Sequence, residues 1–69
     1  MIDVNTLKGI IVANGLTQQE VAEHIGITPK TFYMKMKKGV FYSDEIEAMI
    51  ELLSIENPVG IFFAKNGTY

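Results

Sequence analysis

Four lysines crowd one short run, TPKTFYMKMKKG: Lys30, Lys35, Lys37 and Lys38. Thr31, Tyr33 and Met34 stand among them. Ammonium groups neutralise phosphates, a threonine hydroxyl can bond several base edges, and a methionine offers an apolar contact, as to a thymine methyl. Brought onto one element, these residue types point to contact with nucleic acid. The groups that bond-making chemistry needs are sparse. His24 is the one histidine, and there is no cysteine. Ser43 and Ser54 have no base at a suggestive spacing, and no glycine-rich phosphate loop occurs. Helix starts and exposed helix faces account for the carboxylates. The chain reads as a non-enzyme with no cofactor and no small-molecule substrate. One histidine without cysteine makes a poor metal site, so no metal is expected, and His24 reads as an exposed residue near a helix end.

Something must hold the lysines outward, and the stretch from Thr17 to Lys38 supplies it. Thr17 and Glu20 have the spacing of a capping box, and Leu16 and Val21 bracket that start as a hydrophobic staple. Val21, Ala22 and Ile25 then give one apolar face. Gly26 tolerates the positive φ that ends a helix. Thr28 starts a second helix as cap, Pro29 suits its first position, and Ile27 and Phe32 repeat the staple spacing. At about 100° per residue, Phe32 and Met36 face inward. Lys30, Met34 and Lys37 then form the opposite ridge, with Thr31 and Lys38 on one shoulder and Tyr33 and Lys35 nearer the sides.

Helix, glycine turn, helix is the pattern of the DNA-binding helix-turn-helix. Through Gln18, Val21, Ala22, Ile25, Gly26, Ile27, Phe32 and Met36, the chain resembles the small Cro-like and repressor regulators of temperate phages, within the wider Xre-type family. The resemblance spans nearly the whole chain. It implies a lambda repressor-like domain, a role in a lysis–lysogeny switch and the cytoplasm of a bacterial host. It also implies that Gln18 contacts a phosphate and orients the reading helix. In that docking the start of the second helix enters the major groove, so Lys30, Thr31 and Met34 are the candidate base readers. Thr28, Lys35, Lys37 and Lys38 complete the DNA-contact set.

The remaining elements follow from the same signals. A first helix to Asn14 is capped at Asp3 or Asn5, with Leu7, Ile10 and Ile11 inward and Asn14-Gly15 as its stop. Gly39 ends the third helix. Ser43 reads as the cap of a fourth, whose Ile46, Met49, Ile50 and Leu53 recur as a core stripe. Asn57-Pro58 opens a short helix at 57–63, in which Ile61, Phe62 and Phe63 are too many neighbours for one inward face. Residues 65–69 read as a polar tail. The expected architecture is an all-α, compact five-helix bundle forming one domain over 1–69.

Size and charge bound the partners. A chain of 69 residues buries only about 60% of its unfolded surface, so dimerisation would help it. No apolar run approaches the length of a membrane span, and the N-terminus lacks the pattern of a signal peptide. The net charge is -2 and the pI about 5.2, unusual for a DNA binder, and all six basic residues are lysine. Distribution outweighs the sum: the lysine run is followed by Asp44, Glu45, Glu47, Glu51 and Glu56.

Two functions compete for this sequence. One is an operator-binding regulator acting on double-stranded DNA, as a homodimer with a surface drawn from 40–42 or 61–63. The other is an antirepressor or modulator that binds a partner phage repressor, for which Tyr33, Met34, Phe41, Glu47 and Phe62 are interface candidates. The plainer readings are a solvated lysine face favoured by the helix dipole and an acidic helix turned to water.

Overall fold

Each helix begins where a side chain can take over an orphaned N–H. Asp3 accepts from Thr6 N–H at 3.2 Å ahead of α1 (Val4–Ala13). Thr17 and Glu20 close a reciprocal capping box at α2 (Gln18–Ile25), with bonds of 2.8 and 3.1 Å. Thr28 caps α3 (Pro29–Lys38) through Thr31 N–H, and Asn57 caps α5 (Pro58–Phe62) through Gly60 N–H. Pro29 and Pro58 open their helices, where no amide donor is required. The computed structural model describes residues 2–63, and the tail expected at 65–69 lies outside them. Among the described residues the chain is all-helical, five helices in a compact globule with no strand.

The fourth helix starts differently from the sequence expectation. Ser43 is the first residue of α4 (Ser43–Leu53), and Tyr42 holds the cap position. The bond there runs backward: Glu45 Oε1 accepts Tyr42 N–H at 2.8 Å. A serine followed by two acids looks like a cap, yet the side-chain bond at this start is the return half of a capping box, in which Glu45, three residues after Tyr42, takes the N–H of the cap residue itself.

Helix ends follow one rule. Gly26 has φ +85°, and beyond it Ile27 N–H donates to Ala22 C=O at 3.0 Å. This doubled-back closure satisfies the last carbonyls of α2 and turns Ile27 toward the core. Gly15, Gly39 and Ser54 hold the same place after α1, α3 and α4, followed by Leu16, Val40 and Ile55.

α2 packs chiefly against α3 and α4, while α1 rests on α2 and α5. The core draws Leu7 and Ile11 from α1, Val21 and Ala22 from α2, Phe32 and Met36 from α3, Met49 and Leu53 from α4, and Ile61 and Phe62 from α5. Ala22 is fully buried between the neighbours of α2, where a larger side chain would force them apart. The Phe32 and Phe41 rings meet at 5.4 Å in a tilted pair. Asp3 N–H donates to Ile61 C=O at 2.7 Å, tying the start of α1 to the last helix.

Two residues read from sequence as surface candidates belong to this core. Phe41 and Phe62 are buried, so neither offers a free face to a partner. In the 61–63 triplet, the neighbour left outside is Phe63. In the 40–42 run, Val40 and Tyr42 are exposed on either side of buried Phe41.

Candidate nucleic-acid interface

The turn at Gly26 sets α3 against α2 so that Phe32 and Met36 go inward. Helical geometry then turns Lys30, Met34 and Lys37 outward. All three are exposed, Met34 at 51%. Seven residues at 1.5 Å rise separate the two lysines by about 10 Å along the ridge. Lys38 is exposed on the shoulder, and Tyr33 is half exposed at 49%.

The threonines are partly committed to the helix start. Thr28 Oγ1 accepts Thr31 N–H at 3.2 Å, and its own hydroxyl donates to Thr31 Oγ1 at 2.9 Å. Thr28 therefore has no proton left for a phosphate without breaking that bond. Thr31 is half-buried and, accepting from Thr28, keeps its own proton free to donate outward.

Lys35 departs furthest from the sequence expectation. Its Nζ lies 2.5 Å from Glu45 Oε2 and 4.0 Å from the centre of the Tyr42 ring. The side chain is largely covered, and Glu45 is buried with it. Lys35 is thus an internal counterion and leaves the set of free cations on α3. Glu45 likewise leaves the solvated acidic face to which its place in α4 assigned it. The pairing joins residues ten apart across a helix boundary, and no local signal announces it.

A second arrangement brings in a residue that sequence reasoning missed. Val4 and Lys8 from α1, Gln18 at the start of α2, and Tyr33, Met36 and Lys37 from α3 line one shallow hollow. Gln18 is half-buried there, whereas Lys8 is exposed. With Leu7 and Ile11 inward, helical spacing turns Lys8 away from the core, but only the packing of α1 beside α2 shows that it stands with Lys37. Two lysines, a glutamine and a tyrosine thus stand around one hollow, and the positive charge of the lysines would favour an anion there.

Acidic groups gather elsewhere. Asp44, Glu47 and Glu51 are exposed along α4 at spacings of three and four, and Glu20 and Glu23 are exposed on α2. His24 is exposed and lies beside Glu20 and Glu23 on one side and Glu51 on the other. Lys35–Glu45 is the one ion pair among the described residues. No helix there is long and apolar enough to cross a membrane.

Comparison with protein-family models, with curated proteins and with solved structures found no match. The case for function therefore rests on this chain's own residues.

Proposed function

We propose that this protein is a phage-type transcriptional regulator of a genetic switch, a helix-turn-helix domain that lays α3 in the major groove of operator DNA. The observation that carries the reading is the hollow shared by Lys8, Gln18, Tyr33 and Lys37 beside the exposed ridge of Lys30, Met34 and Lys37. A phosphate held at the hollow would anchor the domain and aim the ridge at base edges; such contacts fix register and orientation but read no sequence. Lys30 and Thr31 can donate to bases, and Met34 can pack on a thymine methyl. A homodimer would present two such helices to half-sites about one helical turn apart.

Salt titration of binding to promoter DNA tests this. If Lys8, Lys30, Lys37 and Lys38 each neutralise one phosphate, log affinity falls with log salt at a slope of about −3.6 per protomer. Lys30→Glu with Lys37→Glu abolishes binding while leaving the fold intact, since both side chains are exposed. Wild-type protein that fails to bind promoter DNA at low salt refutes the proposal.

One observation favours a second reading. Asp44, Glu47 and Glu51 form an exposed acidic stripe on α4, and half-exposed Met34 and Tyr33 give α3 an apolar centre. Exposed acids and exposed apolar groups are the residue types that suit an antirepressor covering the basic DNA-binding face of a partner repressor. The withdrawal of Lys35 into an internal pair weakens the DNA reading and leaves this one untouched. It predicts a stable complex with a co-encoded repressor, lost on Met34→Asp or on Glu47→Lys. Co-purification unchanged by both substitutions rejects these surfaces.

A further inference from the structure

We infer that Glu45 sets a ceiling on sequence-independent DNA binding by withholding Lys35 from the surface of α3; the inference rests on the DNA-binding reading above. The Glu45 carboxylate has two separate employments. Oε1 takes Tyr42 N–H at 2.8 Å and closes the start of α4. Oε2 takes the Lys35 ammonium at 2.5 Å. The first needs only an acceptor, and a glutamine amide oxygen closes the same box. The second needs a negative charge. The charge of Glu45 is therefore surplus to the cap, and its effect is to hold Lys35 down, with the Tyr42 ring flanking the ammonium.

The consequence falls on one term of binding. Lys30, Lys37 and Lys38 stay exposed on α3, whereas the Lys35 side chain is only 19% exposed. Sequence-independent affinity grows with each phosphate neutralised. A cation locked inside subtracts from that term, while Lys30, Thr31 and Met34 remain as the base-facing set. Glu45 thus acts through Lys35 as a specificity-determining residue and touches no DNA itself.

Glu45→Gln keeps the cap and releases Lys35. With random-sequence DNA, the salt slope of this variant steepens by about 0.9 relative to wild type. The Lys35→Met/Glu45→Gln double variant returns to the wild-type slope. It also guards against misfolding, because a neutral pair of similar size is tolerated where a buried charged one stood. Amine acylation of the free protein, read by mass spectrometry, supplies an arm without DNA. Lys35 reacts more slowly than Lys30, Lys37 and Lys38 in wild type and as fast as they do in Glu45→Gln. An unchanged slope in Glu45→Gln overturns the inference, as does a double variant shallower than wild type, which would mean that Lys35 already meets phosphate. A Lys35 that reacts as fast as Lys30 in wild type overturns it without any DNA. Wild-type protein that binds no DNA at low salt brings down the DNA reading and the ceiling together. Slow labelling with an unchanged slope brings down the ceiling alone.

Discussion

The two joints that flank α3 use the same hardware in different ways. Both leave a helix through a left-handed glycine, Gly26 or Gly39, and both reclose with a backbone bond six residues long, from Ile27 to Ala22 and from Val40 to Lys35. They part company at the next helix. After Gly26, Thr28 caps α3 with its own hydroxyl two residues on. After Gly39, Tyr42 holds the cap position, Glu45 takes its N–H from inside the next helix, and the other oxygen of that carboxylate pairs with Lys35 of the helix before. The first joint is closed by neighbours in the chain. The second adds a pair ten residues apart, so part of its packing depends on two helices already being in place.

Phe32 links the joints, and removing it should have the largest effect. It is the apolar anchor of α3, fully buried, and its ring meets Phe41 from the second joint. Phe32→Ala should cost about 3–5 kcal/mol, against a total stability of about 5–15 kcal/mol for a domain. Urea titration should therefore show a protein near the edge of unfolding. Phe41→Ala, nearer the surface, should cost less. Equal losses would mean that the second joint is fixed as firmly as the first.

The same contrast decides what could be read in the sequence. At the first joint every device falls within a few residues: Thr17 with Glu20, Gly26, then Thr28 with Pro29. Period and capping rules find all of them, and both helices begin and end where those rules put them. The second joint and α5 misled in two ways. Ser43 looked like the cap because it precedes two acids, yet Glu45 had the reach to do the work from inside the helix. Phe41 and Phe62 looked like spare apolar groups because each stands beside another, and only the packing of α5 and the loop shows which neighbour turns inward. Lys8 and Lys35 exchanged places in the candidate interface for the same reason. Each one's role is set by a helix distant in sequence, α3 for Lys8 and α4 for Lys35, and helical spacing gives a direction but no partner.

Backbone strain at the first joint gives the next prediction. A methyl group added at Gly26 meets nothing within 4 Å, so Gly26→Ala isolates the cost of φ +85°. That cost is about 1–2 kcal/mol, visible as a lower urea midpoint with an unchanged slope. A smaller loss would show that the turn relaxes, and that the angle between α2 and α3 is held by packing more than by the glycine.

α4 tests the rule from the other side. It ends on Ser54 at φ +51°, where the other three such closures have glycine. Ser54→Gly removes the left-handed penalty but adds chain entropy to the unfolded state, for a net gain of about 0.5 kcal/mol. A loss in thermal or urea stability would mean that the exposed serine makes a compensating interaction at the end of α4.

Acid should single out the capping carboxylate ahead of α1. Asp3 is the cap residue of α1 and is met from within its own turn. The Thr6 hydroxyl donates at 2.7 Å and the Thr6 N–H at 3.2 Å, and together these bonds hold the Asp3 carboxyl below its ordinary value. A carboxyl that is more acidic folded than unfolded binds fewer protons in the native state. Its contribution is complete above the unfolded value and is lost as pH falls through the folded one. Asp3→Asn keeps a capping oxygen but no longer titrates. Its stability deficit against wild type should therefore shrink as pH drops through the carboxylate range, measured as the gap between the two urea midpoints. The effect should be the smallest of the four, because Asp3 caps in reach of solvent with no buried countercharge. A gap that stays constant on acidification would place the benefit of Asp3 in the geometry of its cap and none of it in its charge.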